Sequence, residues 1–186
     1  MKQERVIILI DGSNFYFKLK DLGLHTLDFH FSDFIKFLAG NRQVIRSTYF
    51  VGEVRTDGTP HVQKLYNSQQ RLIARLKNHG VRYQFGYLLK SDGKLHEKGV
   101  DVHIAVALLV AAYENLADRI ILISSDTDLI PAIEKAAEKG KMVEYIGFSH
   151  KVSLAMVRSC KETRTLTRDD LLPFVQEQKQ STKKAA

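Results

Sequence analysis

Four aspartates of this chain sit where carboxylates are costly unless they have work to do. Asp11 ends the apolar run Val6-Ile7-Ile8-Leu9-Ile10. Asp126 and Asp128 follow a second run, Ile120-Ile121-Leu122-Ile123, through Ser124 and Ser125. Asp101 opens a long apolar stretch after Lys98-Gly99-Val100. A carboxylate left unpaired near a core costs several kcal/mol, and a divalent cation is a common way of offsetting that cost. The set is all oxygen, which selects Mg²⁺ or Mn²⁺ over zinc or copper. Such an ion lowers the pKa of bound water and neutralises charge on phosphoryl oxygens.

Each motif also has a plainer account. Asp11 and Ser13 would cap a helix in which Gly12 makes the turn and Asn14 stands ready to orient substrate or water. In Ser124-Ser125-Asp126-Thr127-Asp128 one acid suffices for capping, so the second calls for another role, and Ser125 and Thr127 could touch substrate. Asp101 is equally an ordinary first-turn acid, with Lys98 beside it as a phosphate contact.

The chain as a whole is basic, with a formal charge of +7 over 186 residues. Residues 53–98 carry nine Lys/Arg against four Asp/Glu, whereas residues 99–152 carry five against eight. Cations are thus separated from three of the four aspartates, the division a metal-dependent enzyme acting on a polyanion needs. Lys64, Arg71 and Arg75 share one face of an expected helix and form a candidate backbone-binding stripe, which Arg42, Arg46 and Arg55 would extend. Tyr66, Tyr83, Phe85 and Tyr87 are candidates for base stacking, although core and sheet positions account for several equally well. Glu53 is a possible accessory acid, and His103 reads as structural.

The elements that must position these residues alternate. Strands are expected at 5–10, 44–51, 81–89, 119–123 and 142–146. Helices are expected at 14–22, from Ser32 to Gly40, at 60–78, 100–115, 128–138, 153–160 and 168–175. Pro60 before a long polar helix and Gly80 after it are start and stop signals. Ser91-Asp92-Gly93 reads as a turn, and the stretch from it to Lys98 as a loop or hairpin arm. Strands apolar on both faces alternating with helices imply an α/β class sandwich with a mostly parallel sheet. Sites in such sheets form beyond the carboxyl ends of the strands, where Asp11 and Asp126 both fall. We expect one nuclease domain over 1–160, a helical extension over 161–175 and a disordered tail over 176–186. No stretch approaches the ~20 apolar residues of a membrane span. No signal-peptide pattern opens the chain, and the single cysteine, Cys160, fits a reducing, cytoplasmic setting.

The segments VIILIDGSNFY and KGVDVHIAVALLVAAYENLADRIILISSDTDLIPAIEKAAEKGKMVEYIGF, in that order over roughly residues 4–160, resemble the NYN domain family, and its LabA-like branch in particular. That family belongs to the PIN-like nuclease superfamily. The resemblance implies a Rossmann-like α/β/α sandwich and an aspartate pocket that binds Mg²⁺ or Mn²⁺. It also implies hydrolysis of single-stranded or structured RNA by metal-activated water. Asp11 matches the first family acid and Asn14 its accompanying asparagine; Asp101 matches the middle acid, and Asp126 and Asp128 the closing pair. The family's Ser-Gly-Asp-Ser-Asp-Phe is here Ser124-Ser125-Asp126-Thr127-Asp128-Leu129, which keeps both acids. A helix-borne acid between the first strand and the middle motif has no match, leaving four carboxylates. Two other readings stand beside a ribonuclease: a nucleic-acid-binding regulatory module with a weak or silent metal site, and a phosphotransfer protein on the same general fold. A homodimer is expected from the shallowness of an isolated groove.

Overall fold

The computed structural model describes residues 3–56, 58–91 and 94–175, and of residues 87–91 and 94–97 the backbone alone. The turn expected at Asp92-Gly93 and the tail expected over 176–186 lie outside the described residues.

Seven strands form one sheet: β1 (Arg5–Asp11), β2 (Gln43–Glu53), β3 (Arg82–Ser91), β4 (Lys94–Lys98), β5 (Arg119–Ile123), β6 (Met142–Phe148) and β7 (Glu162–Leu166). Their order is β4-β3-β2-β1-β5-β6-β7. Six are parallel, and β4 alone runs antiparallel, against β3. The chain moves outward from β1 through β2 to β3, then returns to the centre and moves the other way from β5. The order therefore reverses between β1 and β5, the switch point at which α/β sheets place their ligands.

The helices are α1 (Gly12–Asp21), α2 (Phe31–Ala39), α3 (Pro60–Asn78), α4 (Val100–Tyr113), α5 (Ile130–Glu138), α6 (Leu154–Ser159) and α7 (Arg168–Leu171). Because side chains alternate along a strand, β1 serves two cores at once. Val6, Ile8 and Ile10 face Phe15 and Leu19 of α1 and an aromatic group from α2 and its surroundings. Ile7 and Leu9 face Ile104 and Leu108 of α4 and Ile133 of α5. Every residue of β1 from Val6 to Asp11 is buried, as the unbroken apolar run requires. Within the first core the Phe15 ring meets Phe29 edge-on at 5.3 Å and stacks with Phe34 at 5.6 Å.

The α/β sandwich agrees with the sequence-based expectation, with one difference at the carboxyl end. Glu162–Leu166, expected to belong to a helical extension, is the strand β7 on β6. Its burial is confined to Leu166, with Glu162, Thr163 and Thr165 exposed, so it is an edge strand whose sequence Glu-Thr-Arg-Thr-Leu carries no apolar run. Arg164 holds it in place: its guanidinium donates to Glu144 of β6 at 2.7 Å and to the Leu38 carbonyl of α2 at 2.8 Å.

Candidate functional site

Asp11 is the last residue of β1 and the cap of α1. Its Oδ1 accepts the Asn14 N–H at 3.0 Å and its Oδ2 accepts the Ser124 hydroxyl at 2.7 Å. Only 5% of its surface is exposed. Gly12 follows because nothing larger fits: a Cβ there would stand 2.4 Å from the Phe50 carbonyl oxygen and from the Tyr49 ring. Tyr49 passes beneath and donates its hydroxyl to the Gly12 carbonyl at 3.1 Å.

The second motif leaves β5 beside it. Ser124, also buried, accepts the Asp126 N–H at 3.1 Å, so one hydroxyl ties together two aspartates remote in sequence. Asp126 caps the 3-10 turn Thr127–Leu129 by accepting the Asp128 N–H at 2.9 Å. That turn occupies the start of the expected 128–138 helix, and α5 begins at Ile130 with Pro131 in its first turn. Asp126 and Ser125 are half-buried, and Thr127 and Asp128 are exposed. The Ser125 hydroxyl shares a 3.0 Å hydrogen bond with that of Tyr145, which accepts the Ser153 N–H at 3.2 Å.

Asp101 arrives by a different route. Lys98 pairs with Tyr87, which is level with Glu53 and so lies just beyond Asp11 along the sheet. Gly99 turns the chain with φ of +79°, a conformation open to glycine, and α4 then begins. Gly86 makes room for that turn, since a Cβ on it would lie 2.7 Å from the Lys98 carbonyl oxygen. Asp101 is exposed in the first turn of α4, at the same sheet edge as the other three.

All four aspartates thus reach one edge, and two of them serve the capping roles that the plainer account gives them. Among the described residues no three His, Cys, Asp or Glu side chains are grouped closely enough to hold an ion together. The donors fit an ion such as Mg²⁺, which keeps most of its water and is held by one or two carboxylates rather than a closed protein cage.

The expected basic stripe divides. Lys64 and Arg71 are exposed on α3. Arg75 is half-buried, and its Nε donates to the Phe29 carbonyl at 2.8 Å. It lies about 16 Å along the helix from Lys64, at the end far from the aspartates. Arg42 pairs with Glu4 at 2.7 Å, and Arg55 with Glu53 at 2.9 Å. Arg46 and His103 line a groove of about 360 Å³ on the flank of α4. Of the aromatic candidates, Tyr83 packs edge-on against Phe85 at 5.2 Å, with the Lys77 ammonium 5.5 Å from its ring centre. Tyr66 is half-buried, and the side chain of Tyr87 lies outside the described residues. Burial pushes the Cys160 thiol up to about 11, so it is inert as a nucleophile at neutral pH.

Sequence reasoning passed over three features near the aspartates. Ser124, rather than Ser125, bonds Asp11. Lys18 lies on the other flank of α1, donating to the Lys151 carbonyl at 2.6 Å; burial, then the Lys151 charge, holds its ammonium below the usual lysine range. Tyr16 and Phe17 are exposed beside a buried Phe15. Three consecutive aromatics cannot share one helix face, which is the signal that would have marked them.

A six-strand parallel sheet flanked by helices, with acids at its switch point, has a Rossmann-like architecture, and the family is established by sequence. The NYN domain model matches residues 5–167, and the chain belongs to that family. NYN domains are PIN-like, a nuclease superfamily, so the family's activity is that of a hydrolase on nucleic acid. A crystal structure of a protein of unknown function from Vibrio parahaemolyticus has a similar fold, with a TM-score of 0.66 at 19% identity over 92% of this chain and 99% of that one. No curated protein shows significant similarity to the chain. No helix among the described residues is long and apolar enough to cross a membrane.

Proposed function

We propose that the chain is a metal-dependent ribonuclease of the LabA-like branch whose active site is the aspartate edge at the β1–β5 switch point. The observation that carries this proposal is the Ser124 hydroxyl on Asp11, which unites the first and last aspartate motifs. One or two of Asp11, Asp101 and Asp126 would bind Mg²⁺ or Mn²⁺ directly, and the others, with Asp128, would act through its coordinated waters. When bound, the ion supplies an activated water and neutralises charge on the phosphodiester.

The chain's own residues do the rest. Ser124 and the Asn14 N–H fix the Asp11 carboxylate before substrate arrives, so that no reorganisation is needed there. Lys64, Arg71 and Lys98 on one flank, and Lys18 on the other, offer cations to the backbone of a polyanion. Asn14, Ser125 and Thr127 would order water or touch the sugar.

One observation favours a second reading. The absence of a three-acid group among the described residues suits a regulatory module that binds nucleic acid without cutting it. Substitution of Asp11 separates the two. Asp11→Asn keeps an oxygen for the Asn14 N–H while removing the charge, so a nuclease loses cleavage with its melting temperature little changed. A protein that binds RNA equally well and cuts it with neither form is the regulatory module.

Pairing of two copies and a reducing, cytoplasmic setting belong to the same proposal. The first is read from the mass in solution, and the second rests on the lone buried Cys160.

A further inference from the structure

Beside the aspartate edge lies a cleft that the phosphodiester chemistry does not use. It opens between α1, the end of β2 and the first turns of α3, and has a volume of about 440 Å³. Tyr49 and Val51 lie on its β2 side, Leu65 and Leu72 on its α3 side, and Tyr16 and Phe17 on its α1 side. Tyr16 is 41% exposed and Phe17 57%, and their rings meet edge-on at 5.3 Å. Large apolar side chains held in solvent around a concavity mark a binding surface rather than a core.

The cleft is built, not incidental. Gln69 of α3, buried, donates to the Gly52 carbonyl at 2.7 Å and accepts the Val54 N–H at 2.9 Å, so both ends of its amide are spent on the end of β2. This clamps α3 against β2 and keeps the cleft's walls apart at a fixed distance. On the β2 side the Tyr49 hydroxyl bonds Gly12, the residue next to Asp11. The cleft and the aspartate edge therefore meet at the turn Asp11-Gly12-Ser13, of which Gly12 and Ser13 line the cleft.

We propose that this cleft receives one unpaired nucleobase of a single strand whose phosphodiester lies at the aspartate edge, with Tyr16 as the stacking face. The inference rests on the proposed function for the position of that phosphate. Three observations choose a base over an apolar peptide side chain. The cleft is lined by Gly12 and Ser13, which follow Asp11 directly in the chain. Exposed Lys64, next to Leu65, and exposed Arg55, just past Val54, stand on its side of the protein, and both sit in the segment of strongest positive charge. Its exposed aromatics offer a flat face to a ring while leaving its edge open, and stacking of this kind tolerates any base. A base paired within a duplex keeps both faces stacked and cannot enter, so the cleft selects single strands or loops.

The test separates this inference from the cleavage chemistry by using the full chain carrying Asp126→Asn. Its affinity for a short single-stranded RNA is measured by fluorescence anisotropy, with the base deleted at each position in turn to leave an abasic sugar. The same series is run with Tyr16→Ala added, and with Leu154→Ala added as a control on an exposed side chain of α6. At one position, base deletion weakens binding about tenfold when Tyr16 is present and hardly at all when it is absent, a coupling that Leu154→Ala does not disturb. Equal losses with and without Tyr16, or no binding of single-stranded RNA, overturn the inference. Cleavage by the Asp126→Asn chain would instead overturn the proposed catalytic role while leaving the base coupling to be read on its own.

Discussion

The Ser124 hydroxyl donates to Asp11 Oδ2 at 2.7 Å across a sequence separation of 113 residues. Ser124 Oγ in turn accepts the Asp126 N–H at 3.1 Å, so a single side chain registers the ends of β1 and β5 against each other.

Replacing this hydroxyl should therefore cost both stability and activity. Ser124→Ala removes a hydrogen bond to a buried carboxylate, worth about 2 kcal/mol, and unties the Asp126 turn. Urea unfolding should show the loss in the midpoint with the slope unchanged. Cleavage should fall by more than the unfolded fraction explains, because Asp11 is no longer held in one orientation.

The opposite edge of the sheet offers the complementary case. Arg119 opens β5 and reaches Glu4 at 3.0 Å and Glu144 at 3.1 Å, and also bonds Glu162. Both its side chain and that of Glu144 are buried, and truncating one partner of a buried pair leaves a charge uncompensated. Arg119→Ala should destabilise by about 3 kcal/mol, the Arg164–Glu144 contact moderating the loss. Per folded molecule its cleavage rate should match the parent, since β5 carries its acids at the other end. A lowered rate per folded molecule would mean that the two edges are coupled.

Acid should weaken the fold partly through Asp118. The Arg5 side chain, at 2.8 Å, and the Arg5 N–H, at 2.9 Å, hold its carboxyl down to about 2. A folded value below the unfolded one, about 3.9, means that the stabilisation is present above the unfolded value and is lost as pH falls through the folded one. The advantage of the parent over Asp118→Asn should thus be constant near neutrality, shrink below about pH 5 and vanish near pH 2. It should be modest throughout, because Asp118 is well exposed and solvent screens the pair. Urea midpoints of the two proteins across this range check it.

Much of this architecture was legible in the chain. The unbroken apolar runs at 6–10 and 120–123 read as buried strands, and an acid follows the first directly and the second after two serines, which marked the candidate edge. Pro60 and Gly80 bracketed α3 where the structure has it. β7 was illegible because an edge strand needs only one apolar residue, and its attachment through Arg164 is long-range. Arg75 was misjudged for a related reason. Its spacing from Lys64 is right for a shared face, but the chain around Phe29 covers the far end of α3, and periodicity within one helix carries no knowledge of its neighbours. The choice of Ser124 over Ser125 depends on strand alternation at the exact residue where β5 ends, a boundary that sequence patterns resolve only to within a few positions.

Metal-dependent cutting of RNA at the aspartate edge can be read from one gel. End-labelled single-stranded RNA is incubated with the pure protein and with Asp126→Asn, each in Mg²⁺, in Mn²⁺ and with a chelator. The parent should give a product ladder in at least one metal and none with chelator, and the variant should give none. Equal cleavage by parent and variant, or intact RNA in every lane, would contradict metal-dependent cutting at this edge.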